Sequence, residues 1–327
     1  TNQGLFYKPY KSNIELEHVA NTKGQVWCLK VIDKTLICGH NEGTFVVQDH
    51  LALKISEFSG TWDIKKVNTN KNILLQGNYS GLSILEKVNG QWRFRNKVEG
   101  FDISSRFVEF SEDNELIINH EYNGIFKLKL NTSFTKVENQ LKFNPFGVKS
   151  SLVIYNNEVL HSSSLGVYKF QKSKNHFEKD SILSLLLYKK EDPIKGNLIV
   201  DNNNNVWGFS DRNIVFIKYD AINNKPKRID IPVQESFTSS ISASGFESIN
   251  HLKDEIFLIG NTNGFTTLNL DKLKTPDNKI SINSVYTKKL NFSKEQLELN
   301  KSTKLKANQN NLFFTFSVPE FTENINV

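Results

Sequence analysis

No run of this chain approaches the ~18 apolar residues of a membrane-spanning helix, and its first residues lack the basic-then-apolar pattern of a secretion signal. Nothing in the sequence itself is therefore expected to anchor it. Arginine is scarce: Arg93, Arg95, Arg106, Arg212 and Arg228 are the only five among 41 basic residues, which leaves 36 lysines. Readers of nucleic acid depend on arginine forks and clustered charge, whereas these lysines are scattered among acids. The net charge of +6 thus reads as a solvated surface with a mild preference for an acidic ligand, and no nucleic-acid contact is expected. Methionine is absent, and the repeat described below varies enough in length that no single position decides it.

Catalytic signatures are missing as well. There is no phosphate loop, no His-Glu-x-x-His pair, no Gly-x-Ser-x-Gly elbow and no Cys-x-x-Cys. Gly77-Asn-Tyr-Ser80-Gly81 looks superficially like an elbow, but its spacing is wrong and it sits at a hairpin corner, so Ser80 reads as turn chemistry. No enzyme, cofactor or resident metal is expected. Cysteine occurs twice, at Cys28 and Cys38, on neighbouring strands of one hairpin turning near Asp33 and almost opposite each other. A bond between them is geometrically conceivable, while two reduced thiols is the plainer reading because cysteine is commonly a buried residue. The pair says little about compartment.

What is present is a repeat. Leu74 to Leu85 reads as two short apolar strands around a tight turn at Asn78 to Gly81, and the pattern recurs. Its corners fall at Gly4, Gly43, Gly81, Gly124, Gly166, Asn213 and Gly264, with gaps of 39, 38, 43, 42, 47 and 51 residues. Glycine or asparagine is expected there because a tight hairpin turn needs positive φ. The flanking runs alternate in polarity as half-buried strands do. An all-strand repeat of this length predicts propeller blades, since a lone hairpin is marginal in water and a ring of them buries both faces.

The fold class expected is all-β, a seven-bladed-type β-propeller over residues 1–278 followed by the first strands of a β-sandwich over 279–327. Residues 1–23 hold only the outer half of a blade. Inner strands are expected near Val26-Ile32, Trp62-Val67, Arg106-Phe110, Val148-Tyr155, Asn197-Asp201 and Phe246-Leu252. Residues 171–195 are the least regular, and the apolar run Ile182 to Tyr188 suggests an extended outer strand or an insertion. Asp201-Asn-Asn-Asn-Asn205 reads as a turn run, not as a calcium loop, which would need a glycine and a distal glutamate. The linker 272–279, with Pro276-Asp277-Asn278, marks a boundary. Asn311 to Ser317 is a strand stopped by Pro319.

Leu74-Leu-Gln-Gly-Asn-Tyr-Ser-Gly-Leu82, Leu198 to Trp207 and Ile256 to Phe265 resemble the two-component regulator propeller repeat, and Asn308 to Pro319 resembles the start of the triple-tyrosine domain that follows such propellers. Each repeat is a weak signal, but the order of the two domains is specific. The resemblance implies an extracytoplasmic, periplasmic sensor of Bacteroidetes-type regulators, signalling through a membrane helix outside this chain to a histidine kinase or helix-turn-helix output. Tandem propellers in that family would account for the missing half-blade. Departures are the Asn213 corner without glycine, and the Val159 and Gly264 repeats without an inner tryptophan.

Ligand sites in rings form at the mouth of the axial channel, where corner loops and the loops entering inner strands converge. The ligand-binding candidates are therefore Trp27, Trp62 and Arg106 at inner-strand starts, with His40, Tyr79, His120, Tyr122, Arg212 and Asn261 at the corners. Aromatic faces with amide and guanidinium donors suit a small molecule or oligosaccharide, especially an acidic one. The competing explanation is inter-blade packing for Trp27 and Trp62 and ordinary turn aromatics for Tyr79 and Tyr122. His40, His120 and His161 all fall near the end of a second strand and are numerous enough for zinc, but their offsets from the corner differ, which favours histidines without metal. The leading reading is a non-catalytic sensor that binds a small ligand and alters the pose of the domain after Lys279, with room for a homodimer through the C-terminal domain. The alternatives are a propeller polysaccharide lyase with a His or Tyr base, and a protein-interaction scaffold.

Overall fold

The computed structural model describes residues 1–9, 12–144, 147–220, 225–241, 245–262, 264–273, 280–289, 292–299, 301–309 and 311–317. They belong to two compact units, Thr1–Leu268 and Asn269–Val327. Asn263, most of the linker (274–279) and the stop at Pro319 lie outside the described residues. Among the described residues no helix is long and apolar enough to cross a membrane.

Each repeat of the first unit forms its own antiparallel sheet, with the strands in chain order. Blade 1 is Val26–Ile32, Thr35–His40, Gly43–Gln48 and Leu51–Ser56, and blade 2 is Asp63–Lys66, Ile73–Asn78, Gly81–Val88 and Gln91–Lys97. Blades 3, 4 and 5 begin at Phe107, Ser151 and Lys195. Blade 6 has three strands, Ile249–Lys253, Ile256–Asn261 and Gly264–Asn269.

Gly43, Gly81, Gly124, Gly166, Asn213 and Gly264 each open the third strand of their blade. Positive φ is only part of the reason for glycine. A Cβ on Gly43 would lie 2.0 Å from the Ser56 carbonyl oxygen, and one on Gly81 would lie 2.1 Å from that of Phe101. The chain passing outside leaves no room for a side chain. Asn213 departs from the expectation, because its φ is not positive. Its N–H donates to Ser210 Oγ and its amide to Asp192 Oδ2, both at 2.9 Å, so side-chain bonds close that corner.

Period-two alternation sends successive residues of one strand to opposite neighbours. Leu116 and Ile118 pack with Leu75, Leu82 and Ile84 of blade 2, while Ile117 between them packs with Leu152 and Val159 of blade 4. Leu74 likewise joins Ile32 and Ile37 of blade 1. Tyr155 and Leu160 of blade 4 meet Leu198, Val206 and Val215 of blade 5, and Trp207 lies 4.7 Å from Phe257 of blade 6. Sheets packed face to face in sequence order make this unit a β-propeller.

The N-terminal segment is the expected outer half-blade. Phe6–Tyr7 pairs with Glu17–His18, and Ala20 bridges in parallel to Leu51 of blade 1, just as Glu99 at the end of blade 2 bridges to Lys136 of blade 3. The inner half of that blade is missing from the sheet. On that side of blade 1 Leu29 and Val31 are 44% and 73% exposed.

Two local expectations are corrected. Of the two readings of the run Ile182 to Tyr188, the extended outer strand is wrong: Ser181–Leu187 is a helix, α1, capped by the Asp180 carboxylate accepting from Leu183 N–H. Leu183 and Leu187, one turn apart, bury into the blade 4–blade 5 core. An unbroken apolar run does not reveal its own period. A second short helix, α2, spans Glu235–Ser240 before blade 6. Cys28 and Cys38 are not opposite each other, because the register pairs Cys28 with Gly39 and Cys38 with Leu29. They therefore point to opposite faces, Cys38 toward the half-blade and Cys28 toward blade 2. Both thiols are free, and burial pushes them up to about 11 and about 12 respectively.

The Asp201 run is a turn, its carboxylate accepting from the N–H groups of Asn203 and Asn205 and from Trp207 Nε1. The second unit contains one three-stranded antiparallel sheet, Ser281–Lys288 between Glu295–Leu297 and Asn311–Ser317.

Candidate functional site

Four of the nine candidates converge. Trp27 sits at a register shift between Val26 and Cys28, and such a bulge turns the extra side chain out of the ladder. Its Nε1–H donates to the Tyr79 hydroxyl at 2.8 Å. The Trp27 and Trp62 rings are 4.2 Å apart, and Trp62 and Tyr79 meet edge to face at 5.0 Å. Trp62 Nε1–H donates to Ser104 Oγ at 3.0 Å. Tyr79, at the corner turn of blade 2, lies flat on Gly60, where a Cβ would stand 2.0 Å from the ring.

Arg106 enters from blade 3. Its guanidinium lies 5.6 Å from the Trp62 ring, 4.8 Å from Phe107 and 3.9 Å from Phe246. Burial lowers its pKa, opposed by the charges of Glu247 and Glu121, and the group stays a cation. One N–H donates to the Gly245 carbonyl, which also accepts from Asn197 Nδ2 at 2.5 Å. The Glu247 carboxylate accepts from the N–H groups of Gly245 and Asn197. Phe246 completes the aromatic wall, 5.7 Å from Trp27.

The floor beneath this mouth is polar and fully bonded. Thr61 and Asn78, the residues next to Trp62 and Tyr79, are buried. Thr61 bonds Thr44 at 2.8 Å, Asn78 donates to Thr61 at 3.1 Å, and Ser83 ties Asn78 to Gln76. A satisfied buried network of this kind locks its members, and so fixes where the two rings emerge. An ion ladder also crosses the inner strands: Lys30 to Asp63 at 3.1 Å, Asp63 to Lys65 at 3.0 Å and Lys65 to Glu109 at 2.7 Å. Burial opposes the Asp63 charge, but Lys65 and Lys30 hold its carboxyl below the usual range.

The other five candidates are not part of this mouth. His40 is buried, its Nδ1 accepting from Glu42 N–H at 3.1 Å and its ring edge-on to Phe45. His120 Nδ1 caps its own corner, accepting from the N–H groups of Tyr122 and Asn123, and Tyr122 projects from that tip into solvent. Arg212 is an exposed corner residue whose carbonyl accepts from Val233 N–H. Asn261 Nδ2 donates to Thr266 Oγ1 within its own hairpin. His161 is buried against Tyr168 and Phe177 of its own blade, so the three histidines occupy three separate environments.

Sequence reasoning missed Phe246, Glu247, Asn197 and Ser104. Phe246 and Asn197 stand at starts of inner strands, as Trp27, Trp62 and Arg106 do, so the same rule applied evenly would have named them. Ser104 and Glu247 carry no such signal.

No family model matches the sequence, and no curated protein matches it. Solved structures do. The extracellular domain of the hybrid two-component system BT3049 from Bacteroides thetaiotaomicron is 12% identical with a TM-score of 0.61, over 93% of this chain and 42% of that one. That of BT4673 from the same organism is 16% identical with a TM-score of 0.52, over 87% of this chain and 36% of that one. The chain spans about two fifths of the length of these domains. It shares the fold of part of these two extracellular domains.

Proposed function

We propose that this chain is part of the extracytoplasmic sensing domain of a transmembrane regulator, that it binds a small oligosaccharide at the Trp27–Trp62–Tyr79–Arg106 mouth, and that it does so without catalysis. The observation that carries the reading is the convergence of four side chains from three blades in one half-buried to exposed cluster. Flat aromatic faces match the C–H faces of a sugar ring, and a guanidinium at their edge supplies fixed donors for hydroxyl or carboxylate oxygens. The likeness in fold to extracellular domains of two-component systems supports the compartment and the signalling role, with the output domain and the membrane helix outside this chain.

Calorimetry against a panel of neutral and acidic oligosaccharides is the test. A panel member should bind, and Trp27→Ala or Trp62→Ala should weaken it by more than ~1 kcal/mol, about fivefold or more, as removal of an anchoring aromatic does. Indifference to the whole panel would refute the sugar reading.

A further inference from the structure

The mouth is already partly occupied by the chain itself. Phe246, brought by the segment that leads into blade 6, stacks on the Arg106 guanidinium of blade 3 and lies beside Trp27 of blade 1. The Gly245 carbonyl just before it takes an Arg106 N–H and is held in place by Asn197 of blade 5. One short segment thus touches three other blades across the opening. Phe246 remains 42% exposed, so it sits in the mouth without being sealed into a core.

These contacts are weak for what they occupy. Among the described residues the one hydrogen bond of Arg106 goes to a neutral carbonyl. A carboxylate is the better acceptor for a guanidinium, because it takes two parallel N–H groups and carries the opposite charge. An aromatic ring over a cation contributes little where water has access.

Resting on the reading of the mouth as a ligand site, we propose that Gly245–Glu247 is a built-in competitor for it, displaced by a saccharide that carries a carboxylate. The sugar carboxylate takes Arg106 from the Gly245 carbonyl, and the sugar ring takes the Trp27 face from Phe246. The displaced segment runs straight into the inner strand Ile249–Lys253, and the third strand of the same sheet ends at Asn269, where the second unit begins. Ligand arrival is thereby coupled to the blade that adjoins the second unit in sequence.

The experiment is calorimetry of the full chain with matched disaccharides, one of each pair a uronate and the other its neutral parent. Phe246→Ala should bind the uronate at least threefold more tightly than the parent protein, and Asn197→Ala, which frees the Gly245 carbonyl, should shift it the same way. Arg106→Gln should erase the preference for the uronate. Binding that Trp27→Ala weakens but that Phe246→Ala and Asn197→Ala leave unchanged or weakened overturns the competition and leaves the mouth as the site. Binding that Trp27→Ala leaves undiminished overturns the site itself, and binding by neither the parent nor Phe246→Ala overturns both.

Discussion

His161 gives the fold a measurable weakness to acid. Burial among the rings of blade 4 pulls its pKa from 6.5 down to about 4, because a charged imidazole there would lose its hydration. A depressed histidine contributes stability that is fully present above its unfolded pKa and is lost as pH falls through the interval from 6.5 to 4. At over ~1 kcal/mol per pKa unit, the linkage amounts to about 1 kcal/mol lost by pH 5.5 and about 3 kcal/mol in the acid limit. Urea denaturation at pH 7.5 and 5.5, on the parent protein and on His161→Leu, isolates this contribution, since carboxylates titrate alike in both. The parent should lose about 1 kcal/mol more than the variant between the two pH values. Equal losses would refute the assignment of a buried neutral imidazole.

Four further outcomes are expected. Gly60→Ala, which drives a methyl into the face of the Tyr79 ring and strains a backbone at φ 73°, should move that ring and lower the near-ultraviolet circular dichroism of the aromatic cluster. Asn78→Ala should destabilise by about 1–3 kcal/mol in urea, the cost of stranding buried partners. Arg228→Ala should cost about 3–5 kcal/mol, because this buried guanidinium pairs with Asp192 and Asp230 and donates to the Leu186 carbonyl. Thiol titration of unfolded protein without reductant should find both Cys28 and Cys38 reduced, with neither reacting appreciably in the native state.

The ring was legible because its determinants are local. A blade is a run of hairpins, and corner glycines with alternating flanks record each one, so the inner strand Val26–Ile32 could be placed to the residue and the other five to within about three residues. α1 was not legible, because Ile-Leu-Ser-Leu-Leu-Leu carries strand and helix patterns at once and the deciding partners, Leu198 and Val215, are supplied by the next blade. Both thiols are free, as the plainer reading has it, but they do not face each other, because the two-residue turn Asp33–Lys34, both at positive φ, pairs Ile32 with Thr35 and sets the register one residue away from the one that would oppose them. Of the site, the residues at inner-strand starts were readable and those at corners mostly were not. A corner tip points outward unless a neighbouring blade draws it in, as Trp27 draws Tyr79 through its indole N–H.

The central claim is that the tryptophans of the mouth meet the ligand, and quenching of tryptophan fluorescence by acrylamide tests it most directly. The chain has four tryptophans; Trp92 and Trp207 are buried, so the quenchable emission comes from Trp27 and Trp62. A bound oligosaccharide should shield that emission in the parent protein and leave nothing to shield in a Trp27→Phe, Trp62→Phe double variant. Binding seen by calorimetry with quenching unchanged would place the ligand elsewhere and contradict the account.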